Sequence, residues 1–508
     1  LSDGSYVVVW HSTGQDGSGE GVYGQRHSSS GVALGPEFRV NTATSAAQDA
    51  PHVAALSNGG FVVIWDDSSG VDGSGQGVVG QIYNGAGVAQ NANFVLNTFT
   101  SSSQQYSDVA GYAGNGGTVA AGFTAVWAST TNASGIGYDI YLQRFDNSGA
   151  MIGGELRVSN AVGLGTAQTG QQYLPRVASY DTTGDLVIVW RDDGSNDGGA
   201  TYGIFGQRYT AATNTLSGTF QVNTFTAGNQ YEPDVATLAD GGFVVVWRSD
   251  NQDGSSAGVY GQRYDSAGVK AGGEFLINDT TTSGQYQPAV TGLSTGGFVV
   301  TWYNDNYDIS GAGSYNDVYI REYDANGVAI DGQRKLPMVT NTPSNQEYQP
   351  SIADLGNGNY VVAYADYVPA NDGGNATFEI TQQIFGNTAE MQRQANPVLD
   401  DLRTTRVLGA AEAITPQIID NDLLVQDNDS ADFNTGSLWV YFTSGNVAAD
   451  SLAINHQGNG AGQIGVSGAD VSFGGVVIGT YAGGTGGAPL VVTFDADATP
   501  ERVRYLTQ

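Results

Sequence analysis

The chain repeats itself. The apolar run Phe61-Val62-Val63-Ile64-Trp65 returns as Tyr6 to Trp10, Phe123 to Trp127, Leu186 to Trp190, Phe243 to Trp247 and Phe298 to Trp302, with a seventh copy at Tyr360 to Tyr364. The copies end at positions 10, 65, 127, 190, 247, 302 and 364, a spacing of 55 to 63 residues. A unit of that length cannot bury its own apolar faces and must stack on its neighbours. Within one unit, Pro233 to Leu238 leads through the tight turn Asp240-Gly241-Gly242 into the Trp-ended strand. A loop rich in Asp, Gly and Ser follows, then a third strand, Val259 to Tyr264, and a fourth, Glu274 to Asn278. Four antiparallel strands per unit, seven times over, predict a seven-bladed β-propeller across residues 1–395. The first unit opens at its second strand, so its first blade is expected to lack a first strand, which would lie upstream of Leu1.

Composition agrees with an all-β chain. Of the 50 acidic residues 39 are Asp, 74 residues are Gly, and Lys occurs only at Lys270 and Lys335. Helical surfaces favour Glu and Lys, whereas Asp and Gly belong in turns. The net charge of −32 repels nucleic acid and anionic membranes alike. No apolar run approaches the roughly 18 residues of a membrane span, so no membrane insertion is expected. With no Cys, the chain has no disulfide, thiol chemistry or zinc–thiolate site. An Asp-rich surface instead attracts Ca²⁺, a hard cation that takes oxygen ligands.

After Asn396-Pro397 the Trp period stops. Residues 396–508 carry strands at Ser437 to Phe442, Leu452 to Ile454, Val471 to Phe473 and Leu490 to Phe494, with a helix start at Thr499-Pro500-Glu501. They read as a partial cadherin-like β-sandwich, truncated at its C-terminal end.

Segments such as Asp240-Gly241-Gly242-Phe243-Val244-Val245-Val246-Trp247 and Gly258 to Tyr264 resemble the blades of very large secreted bacterial surface proteins of the calcium-binding RTX type. Asp427 to Asp432 and Gly460 to Val466 resemble the cadherin-like repeats of the same proteins. The resemblance implies export, a place at the cell surface or in the extracellular matrix, and a calcium-stabilised adhesion or scaffold module rather than an enzyme. Its partners would be calcium, extracellular polysaccharide, copies of itself or other surface proteins. The alternative is a propeller that binds or degrades polysaccharide with loop Asp residues. The calcium nonapeptides of that family are absent from this chain.

The metal candidates are Asp427, Asp429 and Asp432, three carboxylates within six residues, and the loop pairs Asp67/Asp72 and Asp192/Asp197. Like charges so close repel unless a cation lies among them. The loop of the third unit, Ala128 to Tyr138, has no acid and is expected to be metal-free. The repeated Trp residues are expected between blades. Arg26, Arg144 and Arg263 have Glu37, Glu155 and Glu274 one strand on, whereas Ile82 is followed by Asn93, a pattern that predicts cross-strand ion pairs. Catalysis finds little support: His11, His27, His52 and His456 are scattered, and the Ser-x-Asp-x-Gly-x-Thr-Trp turns of sialidase-type propellers are absent.

Overall fold

A computed structural model describes residues 1–386 except 131–136, 160–169, 195–201, 255, 308–313, 337–345 and 369–376. Further along it describes 398–400, 424–426, 437–440, 453–454, 456–460, 463–483, 485, 490–499 and 502. The chain divides into two compact units, Leu1–Gly386 and Asn387–Gln508.

The first unit is seven antiparallel sheets in chain order, a seven-bladed propeller. Six blades begin with an inner strand: Gln48–Ala55, Gln104–Tyr112, Gln172–Ser179, Gln230–Thr237, Gln285–Gly292 and Gln346–Gly356. These strands contact one another in that order and so surround the axis. In the first blade, among the described residues, the second strand Tyr6–Thr13 pairs only with Glu20–His27. The seventh blade meets the first where Gln382 Nε2 lies 2.7 Å from His27 Nδ1 and donates to the Gly31 carbonyl at 3.2 Å, closing the ring.

Burial follows the pleat of the second strands. Phe243, Val245 and Trp247 face the preceding blade and pack on Val187 and Val189. Val244 and Val246, on the other face, pack on Phe298, Val300 and Trp302 of the next blade. Trp65, Trp127, Trp190, Trp247 and Trp302 are 1% exposed or less, which bears out their placement between blades. Trp10, on the blade without an inner strand, is only half-buried. Third strands carry a glycine wherever a fourth-strand phenylalanine lies over them. A Cβ at Gly206 would meet Phe220 at 2.8 Å, and one at Gly261 would meet Phe275 at 2.7 Å.

The Arg and Glu of the pattern do not pair with each other: Arg26 meets Asp3 at 3.6 Å and Arg263 meets Asp240 at 3.1 Å. Arg144 donates to the hydroxyls of Tyr112 and Tyr209, each at 3.2 Å. Glu155 instead reaches the preceding blade and accepts from the Thr98 N–H (2.9 Å) and hydroxyl (2.8 Å). Glu274 does the same with Thr224, and Asn93 with Thr42, so Asn replaces Glu without needing an arginine.

In the second unit, five strands form one sheet in the order Ser437–Val440, Leu490–Phe494, Val476–Gly483, Asp470–Phe473, Ile464–Ser467. Ile464, Val471, Ile478, Val492 and Phe494 form its core. Val398–Asp400 pairs separately with Leu424–Gln426. The body of the expected C-terminal helix lies outside the described residues.

Candidate active site

Five inner strands open with Gln, and the sixth has Glu347 at the matching position; Pro follows three residues on in five of the six blades. The residue between is left-handed in all six: Ala50, Tyr106, Leu174, Glu232, Gln287 and Gln349 have φ between 47° and 58°. A side chain in that conformation costs roughly 1–2 kcal/mol, and these are not glycines. Each marks a β-bulge, for the register with the second strand breaks there, as between Tyr173 and Arg176 and between Tyr231 and Asp234. The position just beyond the bulge holds His52, Asp108, Arg176, Asp234, Ala289 and Ser351 in successive blades.

Four of these residues form a charged cluster. His52 Nδ1 lies 3.0 Å from Asp108 Oδ1, and the Val177 N–H donates to Asp108 Oδ2 at 2.8 Å. Asp234 Oδ2 accepts from the Val290 N–H at 2.7 Å. Burial would push the Asp108 carboxyl up, but the charge and hydrogen bond of His52, with Arg176 and the Val177 N–H, hold it below the usual range. Asp234 goes the other way. Burial raises it to about 6 against the opposing pull of Arg176 and the Val290 N–H, and the charge of Asp108 adds to the rise. The cluster stays open to solvent: the side chain of His52 is 28% exposed and that of Asp108 12%.

Nearer the start of the inner strands lies an aromatic and basic rim. Tyr173 pairs in register with Arg191, and Tyr231 with Arg248. The Arg248 guanidinium lies 4.9 Å from the ring of Tyr231 and 4.5 Å from that of Tyr286. Tyr286 stacks on Tyr303 at 5.4 Å, and Tyr303 meets Tyr348 edge-on at 5.6 Å. The residue after each Trp varies as the inner column does: His11, Asp66, Ala128, Arg191, Arg248 and Tyr303. Asp66, raised to about 6 by burial, accepts from the Tyr106 N–H (2.6 Å) and the Ser107 hydroxyl (2.7 Å) of the next blade.

Of the expected metal ligands, Asp197, Asp427, Asp429 and Asp432 lie outside the described residues. Asp67 is buried, accepts from the Ser69 N–H at 2.8 Å and lies 3.4 Å from the Trp65 indole nitrogen. Asp192 accepts from Gln172 Nε2 (2.9 Å) and the Gly194 N–H (2.8 Å). Asp72 accepts from Asn97 Nδ2 at 2.9 Å, reaching it across Gly77, where a Cβ would meet the Asp72 Cγ at 2.9 Å. Asp16 holds Asn41 in the same way over Gly21. The third blade has no loop acid, and there Asp139 itself takes the glycine position and pairs with Arg157 at 2.7 Å. Among the described residues no group of three or more His, Asp or Glu gathers as a metal site would.

No protein-family model matches the chain, and no curated protein matches it. Solved structures do. The α-L-arabinanase of Penicillium chrysogenum is 14% identical, with a TM-score of 0.44 over 66% of this chain and 93% of that one. The α-L-arabinofuranosidase of Fusarium graminearum is 15% identical, with a TM-score of 0.40 over 66% and 92%. A Hadza microbial sialidase is 10% identical, with a TM-score of 0.41 over 71% and 73%. What these share with the chain is the propeller fold. They also correct an expectation: the chain is read above as not an enzyme, whereas these propellers are glycoside hydrolases.

Proposed function

We propose that the protein is a polysaccharide-directed glycoside hydrolase working at this end of its central channel. The observation that carries the reading is the placement of Asp108 and Asp234 on either side of Arg176, on three consecutive inner strands. Cleaving a glycosidic bond takes two carboxyl groups, one to protonate the leaving oxygen and one to act as base or nucleophile. The two groups must differ in protonation, and their surroundings push them in opposite directions. Asp234 is the acid. Asp108, kept ionised by His52 and Arg176, is the base or nucleophile, and the tyrosine rim offers flat faces on which sugar rings stack. Such polymers lie outside cells, so the reading carries an exported protein with it.

The test is a hydrolysis screen over arabinan, pectic, uronic and sialylated glycans, followed by Asp108→Asn and Asp234→Asn. Each variant should still fold cooperatively and lower kcat on the active substrate by about 10²–10⁴. Absence of turnover across the panel, or full turnover by the double variant, would refute the reading.

A further inference from the structure

Arg191 is enclosed by tyrosines. Its guanidinium carbon lies 4.8 Å from the ring centres of both Tyr173 and Tyr202 and 5.7 Å from that of Tyr231. Among the described residues its guanidinium makes no hydrogen bond and no ion pair, and its Nε is buried without an acceptor. Arg248, its counterpart one blade on, is paired with Asp250 at 2.9 Å. The neighbouring Asp193 is taken up by the N–H and side-chain amide of Gln171. In a chain with 50 acidic side chains against 18 basic ones, an arginine held at the site without an acid calls for a partner from outside.

We propose that Arg191 is an anion subsite that takes the carboxylate of a uronic-acid sugar, so that the polysaccharide entering this channel is acidic. The inference rests on the reading of the channel as a glycan site and names its substrate class. A guanidinium is a planar fork that pairs bidentately with a carboxylate. The three tyrosine faces hold that plane by cation–π attraction. The net charge does not forbid it, because charges farther than about 8 Å are screened at physiological salt. The opposite part of the rim is acidic, with Glu20 of blade one close enough to Asp49 of blade two to act on it, and Asp66 paired in register with Asp49. A polyuronate is therefore repelled by blades one and two and drawn to blade four.

The experiment is titration calorimetry of the full chain with a hexamer of galacturonate and, separately, a neutral arabinan hexamer, run beside the hydrolysis screen. The uronate should bind at least tenfold more tightly than the neutral hexamer. Arg191→Met should lose about tenfold or more on the uronate and far less on the neutral sugar. Arg191→Lys, which keeps the charge without the fork, should fall between them. Melting curves of both variants show whether the blade interface has survived. Equal binding of the two hexamers, or uronate binding unchanged in a folded Arg191→Met, overturns the subsite. Hydrolysis of neutral glycans with no effect of Arg191 would leave the hydrolase standing and remove the subsite. Arg191-dependent uronate binding with no turnover of any glycan would do the reverse.

Discussion

Asp234 ties chemistry to stability at a single residue. An aspartate in the unfolded chain ionises near 3.8, whereas in the fold Asp234 ionises at about 6. Between those values the folded state holds a proton that the unfolded state has lost, so stability falls as pH rises through the window and levels off above it. Two units amount to roughly 3 kcal/mol as an upper bound. Asp234→Asn keeps an oxygen for the Val290 N–H and removes the buried charge. It should melt higher than wild type at pH 8, match it near pH 4, and lose turnover. A variant less stable at both pH values would mark the carboxylate as structural. Glu347 makes the same argument in a place that has no proposed chemistry. It is 1% exposed and raised to about 8 by burial, with Asp317 and Asp366 adding to the rise against the Val318 N–H. Five other blades have Gln at the matching position: Gln48, Gln104, Gln172, Gln230 and Gln285. Glu347→Gln should therefore stabilise the protein at pH 7 by up to roughly 3 kcal/mol and do little at pH 4, as denaturant titrations at the two pH values would show.

At the scale of the element, two devices recur from blade to blade. The left-handed bulge of the inner strand spends backbone strain to swing one side chain past the normal pleat, which is how His52, Asp108, Arg176 and Asp234 come together. The clasp of Asp72 over Gly77 joins the loop after the second strand to Asn97 at the blade's outer edge. Gly77→Ala would place a methyl 2.9 Å from the Asp72 Cγ and should cost about 1–3 kcal/mol. Asp72→Gly removes the clashing atoms along with the clasp. The double variant should therefore lose less than the two single losses added together, and strict additivity in urea melts would mean the contact is not felt.

At the scale of the molecule, the charge of −32 and the closed ring act together. Crowded acids repel one another in the folded state more than in the expanded chain. That keeps calcium binding to the acidic loops a proposal with a clear readout. For a site with Kd near 10⁻⁴–10⁻³ M, 10 mM calcium would stabilise the fold by about 1.4–2.7 kcal/mol. The midpoint should rise in calcium relative to chelator at matched ionic strength, and coincident curves would refute binding. Trp247→Ala should cost about 3–5 kcal/mol, because each buried Trp is the wedge between two blades.

The periodic Trp strands and the Asp–Gly turns determined the propeller by themselves, because strand pleat and turn geometry are local properties that a repeat copies seven times. The same local logic placed the five Trp residues between blades. What it could not do was say which residues meet across the axis. His52 and Asp108 are 56 positions apart and on different blades, so their 3.0 Å contact exists only once the ring brings neighbouring inner strands side by side. The clue lay in aligning the repeats on one another, where the columns His52–Asp108–Arg176–Asp234 and Asp66–Ala128–Arg191–Arg248 change chemistry inside an otherwise constant frame. Spacing along the chain pointed instead to Asp67, Asp72 and Asp192, which accept hydrogen bonds from Ser69, Asn97 and Gln172. A loop Asp finds its partners a few residues or one strand away, whereas the charged cluster is assembled by the packing of successive inner strands from different blades, which no local sequence pattern encodes.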